Sequence, residues 1–198
     1  MKPRLILFDI DGTLTTKDTM LEYIKFVRGN GRFLWGMFVL LPVLVGMKAG
    51  MVRNDVAKMR LLKFHFKGMS RKELEEKAEA FAREVFPGLL RPGGLKALEE
   101  YRAAGDRILL VSASLRLWIG PWARSQDLEL LSTEGRWADG RFAGELATPN
   151  CHGPEKVTRI KAHLDLGDYP EVIAYGDSSG DTEMLALADQ GHFQPFRD

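Results

Sequence analysis

The chain has 198 residues, of which 45% are hydrophobic, and this length suits one buried core or one core with a modest insertion. Its formal net charge is +1, so no global field favours nucleic acid, and we expect no nucleic-acid partner. Cys151 is the single cysteine, which excludes an internal disulfide and leads us to expect a reducing, cytoplasmic compartment. The apolar stretch near the start is shorter than that of a signal peptide.

The first predicted elements are a buried strand and a helix. Residues 5–8 form a continuous apolar run, typical of a strand that is buried on both faces. Thr19 and Glu22 have the spacing of a capping box, which predicts a helix from about Met20. Residues 33–47 follow and are almost wholly apolar, although they contain one proline and two glycines.

A second capping box begins the next predicted helix. Ser70 and Glu73 form the box, and apolar residues recur behind them at intervals of three and four until Pro87. The stretch from residue 17 to about 87 is therefore mostly helical. It interrupts the strand pattern that the first strand begins, so we predict a helical cap domain over residues 17–87.

Strands and helices alternate regularly after residue 93. Helices are predicted before Gly105, up to about Gln126 with an early interruption at Pro121, from about Glu155, and after Gly180. The predicted strands are residues 107–114, 128–134, 171–176 and 192–196, with a hairpin at 136–146 that turns at Asp139 and Gly140. This order predicts an α/β fold, a Rossmann-like parallel sheet with helices on both faces. Its core domain comprises residues 1–16 and 88–198.

Polar side chains follow three of the predicted strands. In open α/β sheets, ligands bind at the carboxyl ends of the strands, so these side chains are expected to meet. Each of them alone is more typical of a helix cap, a turn or a solvated surface. Clustered carboxylates repel one another unless a cation lies among them, and oxygen ligands suit Mg²⁺. The candidate residues are Asp9, Asp11, Ser112, Lys156, Asp177 and Asp181.

Four segments in this order resemble the motifs of the haloacid dehalogenase (HAD) superfamily of phosphatases. They are DIDGTLT (9–15), LLVSAS (109–114), GPEKV (153–157) and GDSSGDTEML (176–185). The resemblance covers about residues 4–16 and 88–185. The insertion between the first two motifs resembles the helical cap of the phosphoserine-phosphatase-like subgroup. Residues 139–157 resemble the same subgroup, including its phosphatidylglycerophosphatase C members.

The resemblance implies a phosphomonoester hydrolase that forms an aspartyl-phosphate. Asp9 would be the nucleophile, and Asp11 would be the general acid and then the general base. Residues i and i+2 of an extended strand point the same way, which would let the two carboxylates act on one phosphate. Ser112, the backbone N–H of Ala113 and the ammonium of Lys156 would bind the phosphoryl oxygens.

The resemblance also implies a Mg²⁺ site. Asp9, Asp177 and the backbone carbonyl of Asp11 would bind the ion, with water and phosphate completing its shell. Asp181 would either bind through water or orient Lys156, and both roles stay open.

Two further residues have open roles. Asp18 lies where phosphoserine phosphatases tend to carry a substrate-binding glutamate, but a turn or capping role is favoured for it. Thr13 is interpreted as a structural hydroxyl that braces the turn after the first strand.

Two other classes of function compete with a phosphatase. A non-catalytic phosphate-binding module would be expected to lack the nucleophile or the acid, and neither is missing here. A response-regulator phosphoacceptor domain also uses aspartate and Mg²⁺, but it lacks the paired aspartates and the large insertion. The substrate stays open between a small phosphorylated metabolite, as in phosphoserine phosphatase, and a lipid-like phosphate.

The apolar run of residues 33–47 has three competing interpretations. As a helix it would be roughly 22 Å long, shorter than the ~30 Å hydrocarbon core of a bilayer, so we do not expect it to span a membrane. It could be a buried cap helix or hairpin, a peripheral contact with the inner face of the membrane, or a surface for homo-oligomers. Residues 17–69 contain ten Lys and Arg against three Asp and Glu. This basic surplus suits an anionic lipid surface or the attraction of a soluble phosphorylated substrate.

Overall fold

The computed structural model describes residues 2–197, apart from the side chain of Asn54. Its strands are β1 (Leu5–Phe8), β2 (Arg107–Leu115), β3 (Glu129–Thr133), β4 (Gly135–Ala138), β5 (Arg141–Leu146), β6 (Val172–Gly176) and β7 (Gln190–Phe193). Its α-helices are α1 (Thr19–Val39), α2 (Leu41–Lys48), α3 (Asn54–Phe66), α4 (Arg71–Glu84), α5 (Pro92–Ala103), α6 (Arg116–Ser125), α7 (Pro154–His163) and α8 (Thr182–Leu187).

A five-stranded parallel sheet forms the centre of the described molecule, in the order β3-β2-β1-β6-β7. The side chains of β1 alternate between its two faces. Leu5 and Leu7 pack in a cluster with Ile160 of α7 and Met184 of α8. The opposite face of β1 packs in a second cluster that includes side chains of α5 and α6. Both faces are covered by helices, which explains the continuous apolar run of β1 and confirms the predicted Rossmann-like α/β fold.

Helices α1 to α4 lie between β1 and β2 in the chain, and the hairpin β4–β5 packs against them. Phe142 joins the two parts, because its carbonyl accepts from the N–H of Gly68 at 2.9 Å and its N–H donates to the carbonyl of Met69 at 3.0 Å. The division into a core (1–16 and 88–198) and a cap (17–87) stays a prediction. Met1 and Asp198, at its two ends, lie outside the described residues.

The hairpin turn has the predicted residues. Asp139 and Gly140 have φ angles of 49° and 69°. Positive φ at both central residues is the geometry that Asp-Gly favours in a two-residue hairpin. The prediction of a hairpin over residues 136–146 is confirmed.

Two local predictions about helices are wrong. Helix α1 is capped by Asp18, whose carboxylate accepts from Leu21 N at 3.0 Å, and not by Thr19. The hydroxyl of Thr19 accepts instead from Trp118 Nε1 at 3.1 Å. Helix α6 also continues through Pro121, since its buried tryptophans, Trp118 and Trp122, hold it against the core and offset the lost backbone hydrogen bond.

The apolar run of residues 33–47 forms the second half of α1 and most of α2. The two helices meet at Leu40 with a bend of 63°. In the described part of the chain, no single helix has both the length and the apolar composition for crossing a membrane. The bent pair of α1 and α2 meets that test only when its two helices are taken together.

Candidate active site

Asp9 lies at the carboxyl end of β1, the middle strand of the sheet, and its N–H donates to the carbonyl of Tyr175 in β6 at 3.0 Å. The chain then turns sharply at Gly12, where φ is +83°. A Cβ at this position would lie 2.2 Å from Oδ2 of Asp177, so only glycine fits both the turn and the close approach. The turn therefore brings the first and last motifs together.

Lys156 is the buried cation of the site, and only 1% of it is exposed. Its Nζ donates to Oδ1 of Asp9 at 2.6 Å, to Oδ1 of Asp181 at 2.6 Å and to the carbonyl of Val111 at 2.7 Å. These three acceptors use all three ammonium hydrogens. Burial disfavours the charged form, but the two carboxylates outweigh it and raise the pKa of Lys156 above its usual range. Lys156 is thus a fixed positive charge beside Asp9.

The carboxylate of Asp9 has partners on both oxygens, because Oδ2 accepts from the hydroxyl of Thr13 at 3.1 Å. This contact gives Thr13 the bracing position that the sequence suggested. Burial raises the pKa of Asp9, and nearby Asp181 and Asp11 raise it further, while Lys156 offsets part of the effect. A cation close to Asp9 would relieve this repulsion.

Three carboxylates, those of Asp9, Asp177 and Asp181, offer oxygen atoms within 4.8 Å of one another. Oxygen donors in a small, partly buried cluster are the ligands that Mg²⁺ prefers, so the residues fit this ion. Burial and the charge of Asp181 raise the pKa of Asp177, which also indicates a place for a cation. Oδ2 of Asp177 additionally contacts Nη2 of Arg197 at 3.0 Å, a contact that the sequence did not predict.

Asp181 is almost completely engaged by protein groups. Oδ1 accepts from Lys156, and Oδ2 accepts from the N–H of Asp177 at 3.1 Å and from the N–H and hydroxyl of Ser178, both at 3.0 Å. Of its two open roles, this arrangement favours orienting Lys156 over binding a metal.

The carboxylate of Asp11 lies outside the three-carboxylate group. Its Oδ1 accepts from the N–H of Thr19, the first residue of α1, at 2.6 Å, and its Oδ2 accepts from the hydroxyl of Ser114 at 2.6 Å. The start of a helix favours a negative charge, so α1 helps to hold this side chain. The predicted metal role of Asp11 would have to use its backbone carbonyl.

The three predicted phosphate-binding residues differ in position. A cavity of about 780 Å³ opens at the carboxyl edge of the sheet, and Ala113 and Lys156 line it. Ser112 is fully buried beneath the lining, where its hydroxyl oxygen accepts from the N–H of Ser114 at 3.0 Å. The structure therefore brings Lys156 and Ala113 to the cavity, but it places the hydroxyl of Ser112 behind Ser114.

Lys58 of α3 was missed by the sequence analysis. It lines the same cavity, and its Nζ donates to the carbonyl of Ala113 at 2.5 Å. Burial lowers its pKa, although the charges of Asp11 and Asp18 act in the opposite direction. In the sequence it is one of several lysines in a basic stretch, and no motif marks it. Asp18 lines the cavity and also caps α1, so it fills the capping role without losing contact with the site.

The fold and the site define an α/β protein with paired aspartates and a buried lysine at the carboxyl edge of its sheet. The family model for haloacid dehalogenase-like hydrolases matches residues 6–186. The chain therefore belongs to this family, as the four motifs predicted.

One curated relative and two solved structures place the chain more closely. Protein CicA of Caulobacter vibrioides is 37% identical over 198 residues, which cover 99% of this chain and 88% of that protein. A protein of unknown function from Bordetella pertussis Tohama I has a TM-score of 0.80 at 26% identity, covering 98% and 89% of the two chains. Substrate-bound phosphoserine phosphatase has a TM-score of 0.63 at 18% identity, covering 98% and 85%, which shows a common fold.

Proposed function

We propose that the protein is a Mg²⁺-dependent phosphomonoester hydrolase that forms an aspartyl-phosphate at Asp9. The observation that carries the proposal is the buried contact of 2.6 Å between Asp9 and Lys156, with Asp11 and Asp177 lining the same cavity. This arrangement joins a nucleophile, a second carboxylate for the proton and a fixed cation for the phosphate. It suits attack on phosphorus better than a purely structural role.

In the first step, a carboxylate oxygen of Asp9 attacks phosphorus while the ester P–O bond breaks. Asp11 gives its proton to the departing alcohol oxygen, which leaves as a neutral alcohol. The hydroxyl of Ser114 can donate to the ionised form of Asp11 and accept from its protonated form, so it holds the acid in both states. Lys156 remains charged and faces the growing negative charge on the phosphoryl group.

In the second step, water attacks the phosphorus of the aspartyl-phosphate and the bond to Asp9 breaks. Asp11, now ionised, takes the proton of the attacking water. Asp9 and Asp177 would hold Mg²⁺, and the ion supplies the positive charge that lets two anions, phosphate and carboxylate, approach each other. Asp181 keeps Lys156 in place during both steps.

The substrate is a phosphate ester of a small molecule or of a lipid-like molecule. A small-metabolite phosphatase of the phosphoserine phosphatase type is the alternative. The fold shared with phosphoserine phosphatase supports this alternative at the level of fold alone. A non-catalytic phosphate-binding module is the remaining competitor. It is disfavoured because the chain keeps both aspartates and the lysine, and because all three line the same cavity.

Hydrolysis of p-nitrophenyl phosphate tests the proposal. We expect Mg²⁺-dependent release of p-nitrophenol, lowered at least about 1,000-fold by Asp9→Asn, because an amide is a poor nucleophile. Asp11→Asn should slow turnover yet still permit slow phosphorylation of Asp9, because p-nitrophenol is a good leaving group. Asp168→Asn is the matched control, since Asp168 is exposed in a short turn before β6. Full activity of Asp9→Asn would refute the mechanism.

A further inference from the structure

The bend between α1 and α2 carries a concentration of exposed apolar side chains. Among the described residues, seven of the eleven exposed large hydrophobic side chains lie between positions 34 and 51. Trp35 and Phe38 are 59% and 68% exposed and stack with ring centroids 5.9 Å apart. Such a patch is unusual for a surface that only contacts water. We call these seven residues the apolar elbow: Leu34, Trp35, Phe38, Val39, Leu41, Val45 and Met51.

The apolar elbow is continuous with the cavity of the candidate active site. Leu41 and Val45 belong to the elbow, and the same two side chains line the cavity. Met37, Leu44 and Met47 extend the apolar wall of the cavity, whereas Asp9 and Lys156 line its polar part. One cavity therefore joins a phosphate-binding end to an apolar surface, which is the shape that an amphiphilic phosphate would need.

Positive charge surrounds the apolar elbow in the chain. Residues 17–69 carry a surplus of seven positive charges, although the whole chain has a net charge of only +1. Arg32 and Arg53 are exposed on either side of the elbow residues in the sequence, and Lys48 is exposed among them. Bases near an anionic bilayer strengthen binding to it. The same charges would repel one another across an interface between two copies, so they favour an anionic lipid surface over self-association.

We propose that the apolar elbow seats the protein on an anionic lipid bilayer, and that the substrate is a phosphomonoester whose apolar tail lies along the cavity wall. The substrate part of this proposal rests on the proposed phosphatase function. The membrane contact does not depend on that function. The bend of 63° fits two helices lying in the interface better than a single span. The phosphate would reach Asp9 while the tail stays near the elbow.

Vesicle co-sedimentation tests the membrane contact. We expect the wild-type protein to pellet with vesicles of phosphatidylglycerol and phosphatidylcholine at low salt, and at least about tenfold less with phosphatidylcholine alone. Phe38→Glu should weaken binding to the anionic vesicles about tenfold or more, because it places a carboxylate in the apolar surface. Phe193→Glu is the matched control, since Phe193 is 60% exposed on β7, outside the elbow. Circular dichroism would establish that both variants are folded.

Three outcomes would overturn the membrane contact. The first is that the wild-type protein stays in the supernatant at low salt. The second is that Phe38→Glu and Phe193→Glu lose vesicle binding equally. The third is that the wild-type protein is a dimer that does not pellet, and that Phe38→Glu dissociates this dimer. The last result would assign the elbow to a second copy of the chain. Hydrolysis of p-nitrophenyl phosphate by the wild-type protein without vesicles is measured in parallel, so that failure of the phosphatase function is seen separately.

A series of alkyl phosphates tests the substrate class. Below their micelle concentrations, we expect kcat/KM to rise with chain length, by up to about fourfold for each methylene that the cavity wall buries. Leu44→Asp should flatten this rise, because it places a charge in the wall while leaving the polar end unchanged. Constant kcat/KM across the series, or a preference for phosphoserine over every alkyl phosphate, would refute the amphiphilic substrate.

Discussion

The hydroxyl of Ser114 donates to Oδ2 of Asp11 at 2.6 Å and so connects the end of β2 to the turn after β1. The hydroxyl of Thr19 lies 3.2 Å from that of Ser114, and the N–H of Thr19 holds the other oxygen of Asp11. One carboxylate is therefore fixed by a strand end and by the first residue of α1. The orientation of the proposed acid depends on how the inserted helices pack on the core.

Ser114→Ala is expected to lower kcat about 10- to 100-fold with little change in KM, because a misplaced acid slows proton transfer without removing a phosphate contact. The measurement is steady-state hydrolysis of p-nitrophenyl phosphate and of an alkyl phosphate. The alkyl ester should suffer more, since its alkoxide needs the proton more than p-nitrophenolate does. Ser125→Ala is the control, because its hydroxyl contacts only groups of its own helix end. Equal losses with both esters would contradict the role of Ser114.

Asp9, Lys156 and Asp181 could be predicted from the sequence to lie together, because the carboxyl ends of parallel strands meet at one edge of a sheet. The α/β fold followed from the same alternation of strands and helices. The contact between Ser114 and Asp11 could not be predicted in this way. It depends on the turn at Gly12 and on the position of α1, and both are set by packing between residues far apart in the chain.

Lys58 illustrates the same limit. Its position beside Ala113 results from the way α3 folds back over the sheet edge, and a basic stretch rich in lysine gives no sign of which lysine points inward. The Thr19–Glu22 spacing likewise matched a capping box, but the hydroxyl of Thr19 packs against Trp118 instead. Local patterns predicted the starts of α1 and α4 closely but broke α6 at Pro121, and the partners of individual side chains were decided by tertiary contacts.

Lys58→Met is expected to raise KM about tenfold or more while kcat changes less, since a charged hydrogen-bond donor facing a bound anion contributes about 1.5–3 kcal/mol. The methionine keeps most of the apolar stem, so the packing of α3 is preserved. Lys63→Met is the matched control, because Lys63 is exposed on the same helix. The measurement is the dependence of rate on substrate concentration. Unchanged KM in Lys58→Met would exclude this lysine from substrate binding.

Activity is expected to require Mg²⁺ and to be inhibited by Ca²⁺. Ca²⁺ prefers about six to eight ligands at longer distances, so it would draw both oxygens of Asp9 into coordination and prevent in-line attack. Rates with each ion, and in excess chelator, give the first measurement. Thermal unfolding gives a second, because Mg²⁺ should raise the melting temperature of the wild-type protein and not that of Asp177→Asn. Undiminished rates in chelator, or equal stabilisation of both proteins, would contradict the metal site.

His65 of α3 is only 3% exposed, and its ring leaves no space beside Gly36, where a Cβ would lie 2.3 Å from Nε2. Burial, together with the charges of Arg28 and Arg32, lowers the pKa of His65 from 6.5 to about 4. Between these two values the unfolded chain binds a proton that the folded chain does not. The contribution of neutral His65 to the free energy of unfolding is therefore complete above pH 6.5 and is lost as the pH falls towards 4.

The expected loss is at most about 3.5 kcal/mol, since each unit of pKa difference corresponds to about 1.4 kcal/mol. His65→Leu should remove this dependence, because leucine fills a similar apolar site without a titrating group. The measurement is the free energy of unfolding in urea at pH 7, 5 and 4, taken for the wild type, His65→Leu and His192→Leu. His192 is exposed on β7 and serves as the control, so its variant should lose stability in acid as the wild type does. If His65→Leu loses as much stability between pH 7 and 4 as the wild type, burial of this histidine does not control the acid sensitivity of the inserted helices.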